Sequence, residues 1–238
     1  MIDARTFAGQ TVVVTGAAGN LGRAAAKAFA AAGARLVLVD LVGDALARAF
    51  DGASSDCLLA PTDLLERAEV DATVHAAIER FGRIDVLCNV AGGFRMGAPV
   101  HETVESDWNF LFDLNTRTLL NMARAVAPRM LSAGSGRIVN VGAFAAQKGA
   151  ALMGPYCASK SAVIRLTESM AAELREHGIN VNCVLPTIID TPENRAAMPD
   201  ADPTRWVAPD DLASVILFLA SPAARAIHGA AVPVSGLS

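Results

Sequence analysis

Apolar residues fall in short runs separated by longer stretches in which they recur every three or four positions, and this alternation continues along the chain. Thr11–Thr15 (T-V-V-V-T) is β-branched and predicts a strand; Leu21, Ala25, Phe29 and Ala32 then recur at helical spacing as far as Gly33. A second apolar run at 36–39 stops at Asp40 and completes a strand-helix-strand unit. The same reading predicts strands at 57–60, 84–88, 137–141, 179–184 and 230–234. Helices are predicted at 66–81, 108–130, 155–176 and 210–220. Pro155 opens its helix and Gly178 follows it, the usual asymmetry of helix ends, while Pro233 places the last strand at or near a sheet edge.

Strands apolar on both faces need helices on both sides of their sheet, which predicts α/β architecture with a parallel sheet. We expect one doubly wound Rossmann-type domain over residues 1–238, with about seven strands. The proline- and charge-rich stretch 188–209 is expected to fold over the substrate, because long irregular segments in compact domains are often lids.

Composition narrows the function classes. The chain carries a formal net charge of -4 with 18% charged and 5% aromatic residues, so it offers no basic stripe for nucleic acid and points to a small-molecule partner. Residues 1–10 include Asp3 and Arg5 and no apolar run, and no stretch reaches the length of a membrane span, so a cytoplasmic protein without membrane contact is expected. Cys57, Cys88, Cys157 and Cys183, and His75, His101, His177 and His228, are scattered without metal-ligand spacing, so no metal is expected.

Two clusters carry candidate chemistry. Between the first strand and helix lies T-G-A-A-G-N-L-G, with Gly16, Gly19, Asn20, Leu21 and Gly22 at a turn that opens a helix. Small residues there let backbone approach a pyrophosphate, and the helix start supplies N–H groups and the positive dipole end. Asp40, at the tip of the second strand, suits an adenosine ribose and repels a 2'-phosphate, which favours NAD(H) over NADP(H). Asp63, Asn89, Ala91 and Gly92 fall just beyond later strands, at the end of the sheet where such folds bind ligands. The second cluster is Tyr156 and Lys160. On a helix these share a face, and a fixed ammonium near a phenol lowers its pKa and makes it a usable proton donor.

Together these residues resemble the short-chain dehydrogenase/reductase family over essentially the whole chain. The resemblance implies a nicotinamide oxidoreductase in which Tyr156 gives or takes the proton. Lys160 would hold the nicotinamide ribose and tune the tyrosine, and Asn115 would support a proton-relay water. Pro186, Thr187, Ile189 and Thr191 would face the nicotinamide, and a homodimer or homotetramer is implied. The chain departs from the family at Asn20, where glycine is usual and where asparagine would tolerate a positive φ. It departs again thirteen residues before the tyrosine, where the usual serine is Ala143. Losing such a donor typically costs about 100- to 1000-fold in rate when an oxyanion develops.

The runs 142–146, 90–93, 185–195 and 198–206 resemble the dihydropteridine reductase-like subgroup, which also lacks that serine. A pterin-like quinonoid ring takes hydride and proton without forming an alkoxide. For a simple carbonyl substrate, Gln147 or Thr187 is the replacement donor expected. Phe94 would stack on a flat ring, and Asn194, Arg195 and Trp206 would touch substrate or tie the lid. Two other readings stand beside this one: a ketone or 3-oxoacyl reductase of the same family, and a non-catalytic module that senses NAD redox state.

Overall fold

The computed structural model describes residues 5–52 and 54–238, so Asp3 lies outside the described residues. Seven strands are found: β1 (Thr11–Thr15), β2 (Arg35–Asp40), β3 (Cys57–Pro61), β4 (Val86–Asn89), β5 (Gly136–Val141), β6 (Ile179–Pro186) and β7 (Ala231–Val234). They form one parallel sheet in the order β3-β2-β1-β4-β5-β6-β7. Pro233 sits opposite Leu185 on edge strand β7, where its missing N–H leaves no gap in an interior ladder.

Side-chain alternation along the strands decides what covers each face. Val12 and Val14 of β1, with Leu36 and Leu38 of β2, join Leu21 and Phe29 of α1 (Asn20–Ala31) and Leu212 and Ile216 near the chain's end. Val13, Val37 and Val39 point the other way, onto Val70, Val74, Met122, Val126 and Leu174. The α-helices among the described residues continue with α2 (Gly43–Ala49), α3 (Arg67–Phe81), α4 (Glu105–Phe112), α5 (Thr118–Ala133), α6 (Gly154–Leu174), α7 (Pro192–Ala197) and α8 (Pro209–Ala220). Two apolar layers thus enclose the sheet, as the two-faced strands require.

Three local features differ from the sequence-based expectation. The helix expected over 108–130 is α4 and α5 joined through a π-type turn at Asp113–Arg117, a widened turn that carries Asn115. Helix α2 has one buried side chain, Leu46, and so leaves no periodic signal. Asn20 is the first residue of α1 and has no positive φ; among the described non-glycine residues only Leu152 does, at 60°.

Candidate functional site

A cleft of about 1100 Å³ opens at the carboxyl ends of the strands. Its floor begins where β1 runs into the glycine turn. Gly16 has φ 62°, and a Cβ there would stand 2.9 Å from the Ala91 backbone. A Cβ on Gly22 would overlap the Gly16 carbonyl oxygen. Thr15 fixes the neighbouring loop: its hydroxyl accepts from the N–H groups of Val90 and Ala91, each at 3.0 Å. The sequence reading missed Thr15, whose only signal is a hydroxyl at the strand end before the turn.

Helix α1 starts at this turn with no side-chain cap and no acidic residue in its first turn, so its leading N–H groups remain available to an anion. Asp40 lines the same cleft. Its Oδ2 accepts from Ala18 N–H at 2.9 Å, while Oδ1 has only a 3.5 Å contact with Val42 N–H. One carboxylate oxygen is therefore free to accept from a hydroxyl. Asp63, Ala91, Gly92, Pro186, Thr187, Ile189 and Thr191 also line the cleft. These features fit a dinucleotide: a backbone cradle too tight for side chains, an uncapped helix start and an acidic acceptor one strand away. Lys160 is the one cationic side chain among the described lining residues.

Helix α6 brings Tyr156 and Lys160 to one wall, as their spacing predicts. Lys160 is 4% exposed and donates to the Val141 carbonyl at 2.9 Å. Burial pushes its pKa down to about 8, opposed by the neighbouring Cys183 thiol. Burial also pushes Tyr156 up to about 12, with Cys157 adding to the rise. Desolvation dominates both groups, and the ammonium is directed at a backbone carbonyl.

Asn115, 2% exposed, is held by three side-chain hydrogen bonds. Its Oδ1 accepts from Gly93 N–H at 2.8 Å, and its Nδ2 donates to the Gly93 carbonyl and to Ser159 Oγ, both at 3.1 Å. Ser159 Oγ in turn donates to the Tyr156 carbonyl at 2.9 Å. Both amide hydrogens are thus committed, and the side chain positions the 92–93 turn against α6 rather than presenting a free arm to water. Ser159 was missed because a serine inside a helix carries no spacing signal of its own.

Other expectations are corrected by the geometry. Asn89 does not line the cleft; its Nδ2 donates within the sheet to Asn140 Oδ1 at 2.9 Å. Gln147 ends the 3-10 turn Phe144–Gln147 and is exposed outside the cleft, because that turn rotates it away. Trp206, 8% exposed, is buried within the 188–209 stretch and does not line the cleft. Arg195 pairs with Asp190 through two hydrogen bonds of 2.6 and 2.7 Å, away from the cleft. Asn194 lines the cleft, but its Nδ2 donates to Ile189 O at 2.8 Å. Thr187 donates to Ser235 O at 3.0 Å, so its hydroxyl hydrogen is engaged unless it swings toward Ser238.

Ala143 is 4% exposed and lies in the apolar cluster against which Tyr156 packs. Phe94, Phe110, Leu114, Phe144, Met153 and Met198 complete that end of the cleft. Phe94 meets the Tyr156 ring edge-on. The arrangement joins a glycine-lined turn to a half-buried phenol in an apolar, aromatic pocket, which is suited to proton transfer beside a dinucleotide.

A family model described as short chain dehydrogenase matches residues 10–202. D-threitol dehydrogenase of Mycolicibacterium smegmatis is 36% identical over 240 residues, covering 96% of this chain and 92% of that protein. Sorbitol dehydrogenase of Cereibacter sphaeroides is 39% identical over 184 residues, covering 76% and 71%. Among solved structures, NAD+-bound xylitol dehydrogenase superposes with a TM-score of 0.89 at 28% identity, over 97% of this chain and 99% of that one. Carveol dehydrogenase from Mycobacterium avium in complex with NAD gives 0.88 at 27% identity, over 95% and 96%. The two relatives named are polyol dehydrogenases, and the likeness to the dihydropteridine reductase-like subgroup rests on the sequence runs alone.

Proposed function

The chain belongs to the short-chain dehydrogenase family, and we propose that within it this protein reduces a flat, conjugated, pterin-like ring with NADH. It is an NAD(P)-dependent oxidoreductase; the nicotinamide supplies or accepts the hydride when bound. The preference for NADH rests on Asp40, whose free carboxylate oxygen suits a ribose hydroxyl, and on the lack of any cation beside it among the described cleft residues. Glycines 16, 19 and 22 and the start of α1 hold the pyrophosphate. Pro186, Ile189 and Thr191 flank the nicotinamide end.

Tyr156 is neutral at physiological pH and is the proton donor in reduction. Lys160 holds a ribose hydroxyl from the Val141 side, and Asn115 and Ser159 keep the two walls in register. The observation that carries the substrate reading is the wall at Ala143. Where the family has a hydroxyl for a developing alkoxide there is a buried methyl, and the surrounding side chains are apolar. A quinonoid ring spreads the incoming electrons over a conjugated system and needs no such donor. Phe94 and Phe144 offer faces for a planar ring.

A ketone or polyol substrate is the second reading, favoured by the names of the relatives. It requires another hydrogen-bond donor in a pocket whose polar side chains are engaged elsewhere. The sensor reading has no support from relatives that are dehydrogenases by name. Steady-state NADH oxidation with a quinonoid dihydropterin and with polyol-derived ketones decides between the first two, since ketone turnover alone would replace the first reading by the second. A cytosolic homodimer or homotetramer belongs to the same proposal; exposed Trp108 and Phe110 of α4 and Leu120 and Leu131 of α5 support pairing through those helices.

A further inference from the structure

Helix α7 forms part of the cleft's outer wall, through Thr191, Asn194 and Met198 at its ends and within it. It buries none of its own side chains. Its shape comes from inside its own segment. Thr191 Oγ1 caps it by accepting from Asn194 N–H at 3.2 Å, Asn194 ties back to Ile189 O, and Arg195 holds both oxygens of Asp190 with the Nε–Nη2 edge of its guanidinium. The segment's attachment is at its base, where Ile189 bridges Val207 and Asp190 N–H donates to Val207 O at 2.8 Å. A rotation about that base would leave these internal bonds intact.

Among the described residues one hydrogen bond ties its free side to the opposite wall, with the Arg23 charge beside it. Asn20, the first residue of α1, donates from Nδ2 to Glu193 Oε2 at 2.8 Å, across 173 positions of sequence. Arg23 donates to Asn20 Oδ1 at 2.8 Å and so fixes the amide's orientation. The remaining side-chain hydrogen bonds of α7 stay within its segment. Asn20 is also the residue that departs from the glycine usual in the family, and glycine has no side chain with which to make this bond. Glu193 is held in the charged form, first by its own backbone N–H and then by Thr191, Asn20 and Arg23.

We propose that Asn20 and Glu193 form a clasp across the mouth of the dinucleotide cleft, so that the bond must open for cofactor to enter or leave. They are positioning residues: neither is required for hydride or proton transfer, and their effect is on cofactor residence time. The clasp rests on the reading of this cleft as a dinucleotide site and adds to it a determinant particular to this chain. A hydrogen bond to a charged group in solvent contributes modestly, so its loss speeds passage by about three- to tenfold.

The test measures NADH dissociation by stopped-flow displacement, together with tryptic cleavage after Arg195 in the absence of any dinucleotide. Asn20→Gly and Glu193→Ala each accelerate both rates by about three- to tenfold, and the double variant is no faster than either single one. Glu193→Gln keeps an acceptor for the amide and stays within about twofold of the unaltered protein. Additive effects of the two single changes, or acceleration by Asn20→Gly with Glu193→Ala silent, would overturn the clasp. Unchanged cleavage after Arg195 in both single variants would do the same. If the unaltered protein fails to bind NADH, the dinucleotide reading falls by itself, and the cleavage rates still decide whether the clasp holds α7.

Discussion

The rings of Phe94 and Tyr156 meet edge to face, with centroids 4.9 Å apart and planes at 87°. Phe94 is 56% exposed, so the contact covers part of the Tyr156 ring while leaving the rest of Phe94 to the cleft mouth. If that face stacks on a planar substrate, Phe94→Ala raises KM for the substrate by about tenfold, with kcat changed much less. Steady-state kinetics at saturating NADH reads the split; an equal loss in kcat would mean that Phe94 acts through the tyrosine instead.

Tyr156→Phe removes the only cleft phenol and keeps the ring that packs on Phe94. Turnover should fall by at least about 100-fold, the usual contribution of a positioned acid. NADH binding, followed by fluorescence titration, stays within a factor of about two, because the cradle at glycines 16, 19 and 22 is untouched.

Lys160 gives a pH dependence whose sign is fixed by its burial. Its pKa falls from the ordinary 10.5 to about 8 on folding, so between pH 8 and 10.5 the unfolded chain binds more protons than the folded one. The contribution of Lys160 to stability therefore rises with pH across that window, by up to about 3 kcal/mol, and its burial penalty is fully present below pH 8. Tyr156, Cys88 and Cys183, raised by burial, pull the other way above about pH 9, so the readout is the difference between proteins: from pH 7 to 10 the urea-unfolding stability of the unaltered protein should change more favourably than that of Lys160→Met. For activity, kcat/KM for NADH reports the groups of the free enzyme and should decline as pH climbs through about 8, where the ammonium is lost.

Asp40 decides between the two nicotinamide cofactors by charge. Asp40→Asn keeps an acceptor for Ala18 N–H and removes the charge that would face a 2'-phosphate. The ratio of Kd for NADPH to Kd for NADH should fall by at least about tenfold. A ratio unchanged by the substitution would assign cofactor choice elsewhere in the cleft.

The strands were legible because β-branched and aliphatic runs such as 12–14 and 36–39 are buried on both faces, and no amphipathic helix tolerates such a run. Tyr156 and Lys160 were legible because four residues of helix put them on one face. What sequence did not carry is where irregular backbone aims a side chain. The turn at 144–147 sends Gln147 outward and keeps Ala143 and Phe144 in the wall, and no spacing rule distinguishes the two outcomes. The Val141 carbonyl that receives Lys160 leaves no trace in sequence, since every residue has a carbonyl. Asn115 was found from the family likeness, but the π-type turn that aims it was not, because a single extra residue in a helix barely disturbs the apolar period. Asn20 and Glu193 meet through tertiary structure alone.

The substrate reading stands or falls at position 143. Ala143→Ser restores a hydroxyl to the cleft wall beside Tyr156 with one added atom, and kcat/KM with NADH is then measured for a quinonoid dihydropterin and an activated ketone in both proteins. We predict that the unaltered protein turns over the pterin and leaves the ketone nearly untouched, and that Ala143→Ser gains about 100-fold on the ketone with the pterin changed far less. Efficient ketone reduction by the unaltered protein, unmoved by the serine, would contradict the account, because the donor for an alkoxide would then already lie elsewhere in the cleft.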